Sequence, residues 1–151
     1  MLTDEGLDLI KAFEGLRLKA YEDIKGVPTI GWGHTRGVTQ ADVDKGTTIS
    51  EYHAEKYLRE DLEICEDAIL RHVDAPLRQC EHEALVSLVF NIGAAAFATS
   101  TMRTKLNDRD RLGAALEFTR WNKVTIKGKK TVVDGQTARR TRELAHFLGA
   151  R

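Results

Sequence analysis

Four glycines and a proline fall between residues 26 and 37 (Gly26, Pro28, Gly31, Gly33, Gly37), inside a chain whose remaining apolar residues repeat mostly at helical spacing. That segment cannot be helical, because proline lacks the amide proton and glycine is a poor helix former. Short β-type runs, Leu18 to Tyr21 and Thr29 to Trp32, alternate with turn residues there, which predicts a small irregular sheet. The rest reads as helices. Thr3 caps a first helix with Leu7, Ile10 and Phe13 on one face, ending near Glu14–Gly15. A short helix follows from Thr39 to about Lys45. Ser50 caps a long one with Ala54, Leu58, Leu62, Cys65, Ile69 and Val73 at steps of three or four, and Pro76 closes that region. Residues 79–92 form the most apolar helix, stopped by Gly93, as expected of a bundle centre. Further helices are expected after Ser100, over Arg109–Thr119 and over Thr137–Leu148, with Lys127–Lys130 as a polar hairpin tip. The fold class is therefore α+β: one domain over 1–151, with a small N-terminal β-containing lobe (about 15–50) and a larger helical lobe (1–14 and 51–151), joined by the long helix.

The net charge is zero, from 23 basic and 23 acidic residues. Residues 1–75 carry 16 acids and 9 bases, and residues 76–151 carry 7 acids and 14 bases, so the halves are −7 and +7. The balance argues against a simple nucleic-acid binder, whose isoelectric point would exceed about 9. The basic half remains a candidate contact surface for an anionic partner. No apolar run approaches a membrane span, and Asp4, Glu5, Asp8 and Lys11 interrupt any secretory signal. Two cysteines, Cys65 and Cys80, are too few for a disulfide scaffold. They read as small buried hydrophobes, with a single bridge formed after release left open.

The chemistry-bearing residues crowd into 14–35. Glu14 at a helix end is followed by Asp23 in a turn and Thr29 on the next strand. Glycosidic hydrolysis needs such a set: one carboxyl protonates the leaving oxygen and a second carboxylate activates water. Glu22 competes with Asp23, since neighbours in extended chain point to opposite faces. His34 has no ligand-spaced partners, so neither a metal nor another cofactor is implied. Phe90 and Trp121 fit a core, Asn91 fits a helix cap, and Trp32 either lines a cleft or covers the β lobe.

The whole string is more specific than the spacing. Glu14, Ala20-Tyr21-x-Asp23, Gly26 and Thr29-Ile30-Gly31-x-Gly33-His34-Thr35 resemble the signature of the phage lysozymes, the endolysins of glycoside hydrolase family 24. Ala84-Leu85-x-Ser87-x-x-Phe90-Asn91-x-Gly93, Ser100-Thr101, Arg120-Trp121 and Gly135 with Arg139-Arg140-x-x-Glu143 continue the resemblance, in order, over nearly the whole chain. It implies a lysozyme-like fold and a muramidase that cuts the β-1,4 bond between N-acetylmuramic acid and N-acetylglucosamine of peptidoglycan, lysing the host cell. Glu14 resembles the general acid, Asp23 the carboxylate that positions and helps deprotonate water, and Thr29 the residue that holds that water. Inversion would set the carboxyl groups roughly 6.5–9.5 Å apart. The resemblance also places Asn91 in the cleft on a sugar N-acetyl group; Phe90 and Trp32 are further substrate-binding candidates, Trp32 at a position the motif does not fix. It brings Arg139 or Arg140 towards the acid, where a solvated basic helix face is the other reading. It makes His34 structural, paired with Asp61 on the long helix.

The expected partner is peptidoglycan, not nucleic acid, and the expected state a monomer. Some relatives carry an N-terminal signal-anchor helix. Here the catalytic helix starts at once, which implies either a separate membrane-permeabilising protein or a removed anchor, with synthesis in the cytoplasm and action on the wall. Gln136 departs from the family, which commonly has Leu there. A transglycosylase on the same fold, and membrane disruption by the basic C-terminal helix, are the competing readings.

Overall fold

The structure is a computed structural model, and it describes residues 1–150. It divides into two compact units, Ile10–Ile64 and Met1–Leu9 with Cys65–Arg151. The divisions fall inside two helices, α1 (Asp4–Lys11) and α3 (Glu51–His72).

In the Ile10–Ile64 unit, β1 (Arg17–Glu22) pairs antiparallel with β2 (Pro28–Gly31), with Tyr21 opposite Thr29 and an irregularity between Arg17 and Tyr21. The two strands alone would be marginal in water. They are braced by α2 (Gln40–Lys45) and by a bridge from Lys19 to Thr48. Helix α2 starts one residue after Thr39, which caps it, and Thr39 and Asp42 satisfy each other's backbone amides. Ala20, Ile30, Ala54, Leu58 and Leu62 are buried here. Helix α1 stops at Lys11, about one turn earlier than its apolar spacing predicts. The amides of Phe13 and Glu14 both bond to Ile10 O, at 3.0 and 3.3 Å, so the last turn tightens and Glu14 sits just beyond the helix.

In the other unit, α4 (Gln79–Ile92) packs along α8 (Asp134–Phe147). Ala84, Leu85, Val86 and Leu88 of α4 have no exposed surface, as expected of a central helix. Gly93 ends α4 at φ 90°, a conformation that costs little without a Cβ. A short helix α5 (Ala94–Ala98), absent from the sequence reading, follows, and then α6 (Thr101–Asn107), capped by Ser100. Helix α7 (Arg111–Glu117) starts two residues later than predicted, because Asp110 caps it through the Gly113 amide. Phe118–Arg120 then winds into a 3-10 turn. The hairpin around Lys127 is formed by β3 (Lys123–Ile126) and β4 (Lys129–Val132). Helix α8 begins one turn before Thr137, whose hydroxyl bonds back to Val133 O instead of capping. Neither Cys65 nor Cys80 is in a disulfide; Cys65 is buried, and the Cys80 thiol points at Phe147 O. Among the described residues, no helix is long and apolar enough to cross a membrane.

Candidate active site

Glu14, Asp23 and Thr29 all belong to the Ile10–Ile64 unit. Glu14 is half-buried in the turn after α1. A Cβ built on Gly33, at φ 80°, would come within 4.0 Å of Glu14 Oε2, so the glycine turn after β2 runs beside this carboxyl. Asp23 opens the β1–β2 turn. Its Oδ1 accepts the amides of Lys25 (2.8 Å) and Val27 (2.9 Å), and its own amide donates to Val27 O (3.0 Å). The carboxylate is thereby locked to the turn as an Asx motif. Glu22, its rival, is exposed as the last residue of β1. Thr29 is buried, and its hydroxyl donates to Val27 O at 2.8 Å. The hydroxyl proton is thus committed and its lone pairs are left to accept.

His34 stands behind this segment. Its Nδ1 lies 2.7 Å from Asp61 Oδ2, its ring stacks on Tyr57 at 4.5 Å, and Arg36 approaches the same aspartate at 3.5 Å. The strand-to-helix turn is therefore tied to α3. Trp32 is half-buried, with the Lys11 ammonium 4.6 Å over its ring; Lys11 in turn binds Glu55 at 2.8 Å. Glu55 also accepts from Arg59, and these two cations hold its carboxyl below the usual range.

The remaining candidates lie in the helical unit. Asn91 is exposed at the end of α4 and Phe90 is half-buried rather than in the core. Arg139 and Arg140 are 5% and 1% exposed, so the solvated basic face is not what the fold builds, and little of either side chain can meet a ligand. Instead Arg139 Nε and Arg140 Nη1 each lie 3.1 Å from Glu143, whose other contact is the Ser87 hydroxyl at 2.6 Å. Arg140 Nη2 donates to Asn91 Oδ1 at 2.7 Å and reaches Gln136 Oε1 at 3.4 Å. The guanidinium thus orients the Asn91 amide, and Gln136, the departure from the family pattern, supplies it a second acceptor. Burial pushes the Glu143 carboxyl up, against the pull of Arg140, Ser87 and Arg139. Burial also brings Arg140 down to about 10, opposed by Glu143 and reinforced by Arg139.

The sequence reading passed over a set of buried carboxylates in this unit. Glu81, Glu83 and Glu117 are 4% exposed or less. Glu81 takes Arg78 and Arg111, Glu117 takes Lys105 at 2.8 Å, and Glu83 takes Thr3, Gln79 and His146. For Glu81 and Glu83 the signal was present as acids on the most apolar helix, α4; Glu117 ends α7. Among the described residues, no group of three or more His, Cys, Asp or Glu could hold a metal ion.

One unit with a short antiparallel hairpin, whose turn carries Asp23, and one unit built of packed helices are the elements of a lysozyme-type fold. The chain belongs to the phage lysozyme family, whose sequence profile matches residues 11–143. It is 43% identical to the endolysin of Acyrthosiphon pisum secondary endosymbiont phage 1 over 149 residues, covering 99% of both chains. Among solved structures it resembles the endolysin from Escherichia coli O157:H7 phage FAHEc1, with a TM-score of 0.88, 40% identity and coverage of 98% and 93% of the two chains. It also resembles the muramidase domain of SpmX from Asticaccaulis excentricus, with a TM-score of 0.89, 33% identity and coverage of 98% and 97%.

Proposed function

We infer that this lysozyme-family chain is an endolysin that hydrolyses the β-1,4 bond between N-acetylmuramic acid and N-acetylglucosamine of peptidoglycan, with inversion at the sugar carbon. Glu14 protonates the leaving oxygen. Water is held by Asp23 and Thr29 on the opposite face. The observation that carries this reading is the hydrogen-bond state of those two side chains. Asp23 Oδ1 is taken by two backbone amides, and the Thr29 proton is given to Val27 O. What each offers a water is then an acceptor: Asp23 through Oδ2, Thr29 through its hydroxyl oxygen. A water donating both protons to these acceptors has its lone pair free to attack, and Asp23 can take the proton it loses. Asn91, held by Arg140, is the amide that binds a sugar N-acetyl group; Phe90 and Trp32 are further contacts, and Arg139 and Arg140 act from beneath. His34 and Asp61 hold the segment in place. The chain works as a monomer on the wall.

Turbidity clearing of purified walls by wild type and by Glu14→Gln, Asp23→Ala and Thr29→Ala tests the roles. Glu14→Gln should lose on the order of 10²-fold or more. A fully active Glu14→Gln protein overturns the assignment. The reducing end first released should be the inverted anomer, and an anhydro-sugar end would instead identify a transglycosylase.

A further inference from the structure

The helical unit holds a groove that the catalytic reading leaves unused. Its volume is about 790 Å³, and its lining includes Arg120, Trp121, Lys123, Thr125, Lys130 and Thr101. The size suits a discrete ligand rather than a flat surface. One wall is the β3–β4 hairpin. The register sets Lys123 opposite Val132 and Thr125 opposite Lys130. Residues directly opposite share a face and alternate residues along a strand share a face, so Lys123, Thr125, Lys130 and Val132 lie together. All three hairpin residues that line the groove come from that one face.

The charge there is one-sided. Residues 118–133 contain Arg120, Lys123, Lys127, Lys129 and Lys130 and no acid. The one carboxylate in the lining, Glu117, is buried and already neutralised by Lys105 at 2.8 Å, with Arg120 at 3.6 Å. Lys123 and Lys130 are exposed, and neither has a carboxylate partner among the described residues. Trp121 is half-buried in the lining. The hairpin also makes little sense as core. Seven of its eight strand residues are exposed, and an isolated pair of short strands is marginal by itself.

We propose that this groove binds the carboxylate-bearing peptide branches of the wall polymer. The proposal rests on the reading of the chain as a peptidoglycan hydrolase. A bare glycan strand stacks on aromatic rings, but its one lactyl carboxylate per disaccharide is held close to the sugar ring and cannot reach along the hairpin. Peptide branches bring several carboxylates, spaced along an extended backbone that can lie against the Lys123–Lys130 face. Nucleic acid fits less well, because a single indole provides no series of stacking platforms.

The test uses two substrates: intact peptidoglycan, and glycan strands stripped of peptide by an amidase. A Lys123→Gln/Lys130→Gln variant should show a KM raised about fivefold on intact wall, with kcat unchanged, and wild-type kinetics on stripped strands. Calorimetry with a soluble disaccharide–tetrapeptide should show weaker binding to this variant, and none of that difference with the disaccharide alone. Equal losses on both substrates, or no loss on intact wall, would overturn the proposal. Both lysines are exposed, so the variant is expected to keep the wild-type melting temperature. Glu14→Gln separates the two readings. If it remains active on both substrates the catalytic assignment fails, while calorimetry of the tetrapeptide still reports on the groove.

Discussion

In the Ile10–Ile64 unit, Glu14 and Asp23 are half-buried and sit in turns, one beside a glycine and the other locked by backbone amides. In the helical unit, Glu81, Glu83, Glu117 and Glu143 sit in helices, are 4% exposed or less, and are each paired with at least one basic side chain. The same residue type serves opposite ends. A buried carboxylate must be matched by cations and donors, and once matched it is committed to holding the fold. A carboxylate at a turn, with one oxygen fixed by backbone, keeps an oxygen for chemistry. Burial, and a place in a helix or in a turn, more than composition, separate these structural acids from the two proposed to be catalytic.

That contrast can be broken most sharply by paired substitutions. Glu143→Gln strips the charge that compensates two buried arginines, and such losses cost about 3–5 kcal/mol. For a chain of this size the melting temperature should fall by roughly 10 °C. Glu14→Gln should leave melting within about 2 °C while activity falls at least 100-fold. A large melting shift in Glu14→Gln would mean that the catalytic carboxylate is structural after all.

The next effect concerns acid. Burial alone would raise the Glu83 carboxyl, but hydrogen bonds from Thr3, Gln79 and His146 outweigh it and bring it from 4.5 to about 2. A group depressed on folding contributes stability above its unfolded value and loses it as pH falls through the folded one. Melting temperature should therefore drop as pH goes from about 4.5 to about 2, by an amount equivalent to about 2–3 kcal/mol. Glu83→Gln should flatten that slope, and an unchanged slope would remove Glu83 from the explanation.

Asp61→Asn weakens the charge contact of buried His34, and should cost about 1–3 kcal/mol, or roughly 5 °C. Because this pair holds the segment between β2 and α3, activity should fall with it. At the small end, Lys56 and Glu60 approach only to 4.0 Å and are both well exposed. Removing either should move melting by about 1 °C or less, and clearing rates not at all.

Much of this was legible before folding. The non-helical glycine segment, the cap at Ser50, the buried stripe of α3 and the stop at Gly93 each follow from local chemistry that a few neighbouring residues decide. That Glu14, Asp23 and Thr29 belong to one compact unit follows from their closeness in the chain. Helix ends were harder. The start of α7 turned on whether Asp110 or an earlier residue capped it, and several residues nearby could have done so. Arg139 and Arg140 were read partly as a surface because arginine is ordinarily exposed. Their burial depends on Glu143 and Ser87, and Ser87 lies on a different helix, more than fifty residues away.

The sequence by itself therefore determined where the chain could be helical, which stretch had to turn, and which carboxylates stood near one another along it. Those properties rest on backbone conformation and side-chain periodicity, which act over a few residues. Only the tertiary structure decided which carboxylates would be matched and buried, that Asn91 would be oriented by Arg140, and that three hairpin residues would line one groove with Trp121. Those outcomes depend on which distant groups share a low-dielectric interior or a common surface, and the packing of helices α4, α6, α7 and α8 sets that.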